Sequence, residues 1–294
     1  MKRLFILASA AIVALASCTK TQVVYTEAPE EISFKAFTGA MTKATLGDNA
    51  WDNMGVYAYK ADGTTEYFAA TKFEEGTTWT AVTGSERYWP GNDDLQFVVW
   101  APFEDGWTYT PASKTLIYTA TSMSDILYGE SIMTTNKTAS ASGVDITMKR
   151  AAAKVSIKFT GEEGVSVLKS LKLVNVAQTG TCTVVYDGTA EAEWAPGSLT
   201  EHPFTIDGGG LELEGTATED STFELLVVPV ASNTATISFD YELAGSSASY
   251  VVPAGTVGDW EEGTHYTYTV NVGADEIEIV PTVTPFVPEE IPAM

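Results

Sequence analysis

Apolar and polar residues alternate along most of this chain in short runs that are separated by turn residues. In the first run, Glu31–Phe37, the residues Ile32, Phe34 and Ala36 lie on one face. Alternation with a period of two residues is typical of a half-buried β-strand. The run Leu95–Pro102 is almost wholly apolar instead, which predicts a central strand buried on both faces.

Similar runs recur at regular spacing to the end of the chain, with Gly, Pro, Asp and Asn between them. No long stretch has helical periodicity, so the pattern predicts antiparallel β-sandwiches. The texture changes at the basic and alanine-rich stretch Lys149–Lys154, which places a domain boundary near residue 147. The sequence therefore predicts an all-β fold, with an N-terminal β-sandwich domain over 31–147 and a C-terminal one over 148–294.

The chain begins with two basic residues and an apolar run that leads to Cys18. As a helix this run spans roughly 20 Å, against roughly 30 Å of bilayer hydrocarbon, so residues 1–17 are predicted to be a signal peptide rather than a membrane span. Leu15-Ala16-Ser17-Cys18 resembles the lipobox of bacterial lipoproteins, in which cleavage precedes an acylated cysteine. Cys18 is the candidate lipidation site, and residues 18–30 are interpreted as a tether.

Charge and cysteine content narrow the classes of function. The sequence has 39 acidic and 16 basic residues and a formal charge of −23, so it repels phosphate backbones and we expect no nucleic-acid partner. If Cys18 is acylated, Cys182 has no partner for an intramolecular disulfide. Its strand-like surroundings favour a buried thiol that behaves as a small hydrophobe.

Residues suited to catalysis are scattered. The two histidines, His202 and His265, are far apart, the acidic pairs lie in turns, and no Gly-x-Ser-x-Gly motif is present. We therefore expect no enzyme, no metal site and no cofactor. The seven tryptophans leave a glycan-binding surface open, although most lie within predicted strands, where core packing is the favoured use.

Several motifs, in their order and spacing, resemble the fimbrillin family of Bacteroidales, which are lipoprotein-derived pilins of type V pili. The motifs are Cys18 with its lipobox, Ile32-Ser33-Phe34, Thr42-Lys43-Ala44, Trp51–Tyr59, Tyr88-Trp89-Pro90, Leu95–Pro102, Met148–Val155, Trp260–Gly263 and Tyr266–Val270. The resemblance implies two transthyretin-like antiparallel β-sandwich domains. It also implies a cell-surface location in a fimbrium at the outer membrane, where the subunit contributes to adhesion.

In that family a lipidated precursor reaches the outer membrane, and a trypsin-like protease cuts after a basic residue beyond the first strand. In this sequence the corresponding bond is Lys43–Ala44, although the family often has Arg at this position. The displaced strand would carry Ile32, Phe34 and Ala36. A neighbouring subunit then fills the vacated groove, which implies a head-to-tail polymer with other pilin subunits.

The candidate donor segment is 276–294. Its apolar residues alternate, while its prolines remove backbone donors and limit pairing. These alternating residues are Ile277, Ile279, Val283, Pro285 and Val287. Glu276–Val280 is equally well interpreted as the last strand of its own domain. The alternative function is a monomeric outer-membrane surface lipoprotein that binds a host ligand or glycan through exposed aromatic side chains.

Overall fold

The computed structural model describes residues 29–38, 52–130, 136–138, 143–231, 234–253, 255–273 and 276–286. These ranges contain twenty β-strands and one short 3-10 turn at Asp207–Gly209, so the all-β prediction is confirmed. The strands are Ser33–Thr38 (β1), Asn53–Lys60 (β2), Glu66–Glu74 (β3), Trp79–Ala81 (β4), Leu95–Ala101 (β5), Trp107–Thr110 (β6), Thr115–Ala120 (β7), Leu127–Glu130 (β8), Val144–Arg150 (β9), Ala153–Gly161 (β10), Ser166–Ala177 (β11), Gly180–Val185 (β12), Glu191–Pro196 (β13), Leu199–Phe204 (β14), Leu211–Glu212 (β15), Thr222–Val227 (β16), Thr236–Leu243 (β17), Ser246–Val251 (β18), Thr264–Val272 (β19) and Ile277–Pro285 (β20).

Seven strands close into a barrel in the order β1-β4-β3-β2-β5-β8-β9. β5 lies in the wall of this barrel and is buried on both faces, as its apolar sequence predicted. Phe97 and Val99 belong to the core inside the barrel, whereas Val98 and Trp100 belong to a second core outside it. The unbroken apolar run thus places alternate side chains in two different hydrophobic cores.

The second core is covered by a four-stranded sheet in the order β13-β12-β7-β6. β6 and β7 come from the first half of the chain, but β12 and β13 form a hairpin from the second half. A cut at residue 147 would separate this hairpin from β7, the strand with which β12 pairs over six residues. The barrel and its covering sheet are called the first body below.

The second body contains two packed sheets. One has the order β16-β10-β19-β20, and the other has the order β14-β11-β17-β18. Phe159 from the first sheet contacts Phe239 from the second at a centroid distance of 5.1 Å, so the two inner faces share one core. β20 is the edge strand of its sheet and pairs with β19 over nine residues.

The structure differs from simple antiparallel sandwiches in two ladders. β1 pairs in parallel with β9, and β10 pairs in parallel with β19. Parallel partners need a long connection, so both pairings join strands that are distant in sequence. Alternation along one strand shows which side chains share a face, but it carries no information about which distant strand lies alongside.

Two broader features bear on the class of protein. In the described part of the chain, no helix has the length and apolarity to cross a bilayer. Within the same residues, no three His, Cys, Asp or Glu side chains cluster in a way that would hold a metal ion.

Cys182 provides a test of the inserted hairpin. It is fully buried in β12, and burial, with a smaller contribution from Glu262, raises the pKa of its thiol to about 12. In a Cys18→Ser chain, we expect a maleimide at pH 8 to leave native Cys182 unlabelled, because only about one thiol in ten thousand is ionised. Labelling should become complete in denaturant.

The matched control moves the thiol three residues along the same strand. Val185 is 45% exposed, so a Cys182→Ser, Val185→Cys chain should be labelled rapidly while folded. Rapid labelling of native Cys182 would show that the hairpin does not pack on the barrel.

Candidate assembly site

The first strand occupies a slot in the barrel wall. β1 pairs with β9 over the five residues Phe34–Thr38, and with β4 over only the two residues Ser33 and Phe34. The slot is therefore asymmetric, with a long ladder on one side and a short one on the other. β1 joins β4 to β9 and so completes the closed barrel.

The side chains of this strand fill the centre of the barrel. Ile32 and Phe34 are fully buried, and the ring of Phe34 makes edge-to-face contacts with Phe73 at 5.1 Å and Phe97 at 5.0 Å. Burying such a side chain contributes roughly 1.5–3 kcal/mol, and edge-to-face aromatic pairs add to this. Ala36 lies in β1 opposite Ile146, and its side chain is outside the described set.

The chain is also fixed just before β1. The Ile32 amide donates to the Arg87 carbonyl at 2.7 Å, and the Trp89 amide donates to the Glu30 carbonyl at 3.0 Å. These bonds extend the pairing to the residues just before β1, which bond to the segment that follows β4. Removal of β1 and the residues just before it would leave unpaired backbone groups on both sides of the gap, along β9 and along β4.

The candidate donor residues form β20. Ile277 and Ile279 are half-buried and pack on the core of the second body. Val283 and Pro285 lie on the same side of the strand but are exposed, and Val283 is 61% exposed. Glu276–Val280 is open to two interpretations, the last strand of its own domain or a donor strand. In the structure, Ile277–Val280 pairs with β19 of the chain's own second body. Donation to another chain stays a prediction.

The outer edge of β20 is blunted by proline. The Phe286 amide donates to the Gly263 carbonyl at 2.7 Å, so the alternation of an antiparallel ladder directs the amides at even positions toward β19. The odd positions then face the open edge, and Pro281 and Pro285 supply no amide there. Proline at an edge is one way in which proteins prevent unwanted pairing.

Four of the predicted site residues lie outside the described residues: Cys18, Lys43, Ala44 and Val287. The two histidines lie apart. His265 in β19 bonds to Ser156 at 2.7 Å, and His202 in β14 bonds to Gln178 at 2.9 Å. Burial lowers the pKa of His202. Nothing in these contacts brings the two side chains into one site.

The aromatic side chains considered for glycan binding serve packing. Among the described residues no tryptophan is exposed: Trp79, Trp89, Trp100 and Trp260 are buried, and Trp107 and Trp194 are half-buried. Trp51 lies outside the described residues. No tryptophan of the described surface therefore offers an open face of the kind that binds sugars, and the exposed aromatic side chain there is Tyr88, which is 41% exposed.

The junction between the two bodies contains contacts that sequence reasoning did not find. The Tyr128 hydroxyl lies 3.0 and 3.1 Å from the two carboxylate oxygens of Glu262, and the Ala192 amide donates to the Tyr128 oxygen. Burial raises the pKa of Glu262, while the bond from Tyr128 acts in the opposite direction. The two residues are 134 positions apart, so no local pattern could have paired them.

Together, a first strand that closes a barrel and an edge strand in a second pair of packed sheets define a two-body, all-β protein. The family model described as fimbrillin-like matches residues 20–285, which is most of the chain. The chain belongs to the fimbrillin-like family. This membership identifies it as a fimbrial structural subunit of the cell surface that contacts other fimbrial subunits.

Solved structures share the fold at low sequence identity. A fimbrial protein from Bacteroides vulgatus aligns with a TM-score of 0.61 and 15% identity over 87% of this chain and 99% of its own. A candidate cell adhesion protein from Bacteroides uniformis aligns with a TM-score of 0.60 and 16% identity, over 87% of this chain and 98% of its own. No curated protein matches the chain.

Truncating Phe34 should open a cavity in the barrel. We expect Phe34→Ala to lower the free energy of unfolding by about 3–5 kcal/mol, because the aromatic neighbours of Phe34 cannot close around the space. Urea unfolding followed by tryptophan fluorescence measures this loss. Ser33→Ala, one residue earlier, should change stability by less than about 0.5 kcal/mol. Equal effects would mean that β1 does not occupy the core.

The half-buried carboxylate of Glu262 should make stability depend on pH. Its folded-state pKa is raised above the ordinary value of 4.5, so the folded chain binds the proton more tightly than the unfolded chain. Stability from this group is fully present below pH 4.5 and declines as pH rises through the folded-state pKa.

Glu262→Gln removes this titration but keeps an oxygen for Tyr128. Relative to the variant, we expect the melting temperature of the parent chain to fall between pH 4.5 and 7, as measured by circular dichroism. Glu261→Gln, at the exposed neighbouring position, should follow the parent chain. A parent chain that gains stability relative to Glu262→Gln over this range would contradict the assignment.

Proposed function

We propose that this chain is the precursor of a fimbrial subunit that polymerises by exchanging strands between copies. Cys18 carries the lipid that holds the precursor at the outer membrane. Cleavage after Lys43 releases β1, and the C-terminal segment of a neighbouring copy enters the vacated slot. The role is structural and not enzymatic, and the resulting filament contributes to adhesion.

The observation that carries this proposal is the position of β1. It is the first described strand, it pairs on both sides, and Ile32 and Phe34 fill the barrel core. Its loss would leave an apolar channel between β4 and β9, flanked by unpaired backbone groups. A strand from another chain restores both the apolar contacts and the hydrogen bonds, which is β-augmentation.

The edges of β20 suit the two sides of the slot. Its complete edge, which pairs with β19 before exchange, can pair with β9, where β1 makes the long ladder. Its proline-blunted edge then faces β4, where β1 pairs over only two residues and few amides are needed. Ile277 and Ile279 have the same two-residue spacing as Ile32 and Phe34, so they can replace them in the core.

Exchange of this kind gives a filament. The donor strand lies in the second body and the slot lies in the first, so donor and acceptor are different surfaces of the same chain. Such a head-to-tail contact leaves a free slot at one end and a free strand at the other, and it propagates unless a rotation closes a ring. The absence of an exposed tryptophan from the described surface gives no support to the alternative of a monomeric glycan-binding lipoprotein.

Lys43→Ala tests the proposed cleavage. We expect cells with this variant to keep the subunit as an uncleaved lipoprotein and to lose at least about 90% of their filaments, because β1 stays in the slot. Electron microscopy counts the filaments, and N-terminal sequencing of sheared material locates the cut. The parent chain should begin at Ala44.

Lys35→Ala is the matched control, because Lys35 lies inside β1 and its backbone is paired with β9. This variant should be cut and assembled as the parent chain is. Filaments whose subunits begin at Cys18 would contradict the proposal.

A further inference from the structure

Just beyond the end of β20, Phe286 contacts Arg150 of the first body. Residues Pro281–Pro285 are all exposed, and they follow the part of the strand that packs on the second core. Phe286, the next residue, is half-buried again. The outer half of β20 is thus held by its backbone pairing with β19 and by the side-chain contacts of Phe286 at its end.

Phe286 meets the guanidinium of Arg150 in two ways. Arg150 Nη1 donates to the Phe286 carbonyl oxygen at 3.2 Å, and the Arg150 guanidinium carbon lies 4.5 Å from the centre of the Phe286 ring. The planar guanidinium can stack on an aromatic face and donate at its edge at the same time. Lys154 adds a second cation 6.0 Å from the ring centre.

Arg150 is itself held rigidly. It is the last residue of β9 and is 7% exposed, and its Nε lies 3.0 Å from both carboxylate oxygens of Asp125. Asp125 comes from the segment just before β8. The guanidinium is thus a preorganised group of the first body, and contact with it costs Phe286 little further ordering of the arginine.

We propose that Arg150 and Phe286 form a latch that keeps β20 on its own second body and sets how readily the strand is released to another copy. The inference rests on the proposed strand exchange, for which it supplies the regulation. β9 takes part in both contacts. Its first five residues pair with β1, the strand that is lost, and its last residue, Arg150, binds Phe286, which directly follows the donated strand β20. The latch slows release from the precursor and so opposes premature polymerisation.

The test uses Phe286 rather than Arg150, because removal of the arginine would leave Asp125 buried without its partner. In uncleaved Cys18→Ser chains, hydrogen exchange measures the opening of β20 directly. Phe286→Ala should speed exchange of the β20 amides that pair with β19 by on the order of tenfold, the factor expected for loss of a partly desolvated cation–π contact. Phe286→Leu, which keeps apolar bulk, should give an intermediate increase.

Val283→Ala is the matched control on the same strand, since Val283 is 61% exposed and lies away from Arg150. It should leave β20 exchange within about twofold of the parent chain. Exchange in β11 should be unchanged in all three variants, which shows that the fold is intact. Unchanged β20 exchange in Phe286→Ala would overturn the latch.

A disulfide between β19 and β20 distinguishes failure of the latch from failure of the proposed strand exchange. Thr267 and Thr282 are opposite each other in the β19–β20 ladder, about 5.5 Å apart at Cα, which suits a disulfide. If cells carrying Thr267→Cys with Thr282→Cys in oxidised form still build filaments, strand donation by β20 is wrong, whatever the exchange data show. If the lock blocks filaments and Phe286→Ala hastens their appearance, both proposals are supported.

Discussion

The pairing of β1 with β4 and β9, which closes the barrel, is the constraint on which the rest of the structure depends. β1 hydrogen-bonds to strands on both sides, and Phe34 in β1 and Ile32 just before it are fully buried, so a single short segment closes the barrel. A buried backbone group without a partner is costly, and so is a cavity lined by aromatic rings. Loss of this segment would therefore strongly destabilise the first body unless another strand took its place.

Contacts between distant parts of the chain hold the first body and the second body together. The hairpin of β12 and β13 covers the outer face of β5, and Tyr128 and Glu262 join the first body to the second. These contacts make the two bodies one unit, so the slot and β20 are carried together. Because β20 is an edge strand whose open side is blunted by proline, that side is a poor template for further pairing while β20 stays in its sheet.

Sequence patterns located most strands and both faces of the important ones. The alternation of Ile32 and Phe34 predicted a half-buried β1, and the apolar run of β5 predicted burial on both faces. β6 and β13 are short and their inward-facing residues are only half-buried, so they contribute less to the pattern than β1 and β5. The candidate residues around the cleavage site and the lipobox came from motif resemblance, and they stay predictions.

The sequence by itself determined the secondary structure class, the burial pattern along strands such as β1 and β5, and the family. These follow from local alternation, turn residues and the order of motifs, which are properties of neighbouring residues. Only the tertiary structure decided that β1 runs parallel to β9, that β12 joins β7 and that Arg150 grips Phe286. Each of these contacts joins residues far apart in the chain. The residues next to a strand edge or a guanidinium in the sequence do not indicate which distant group will bond to it.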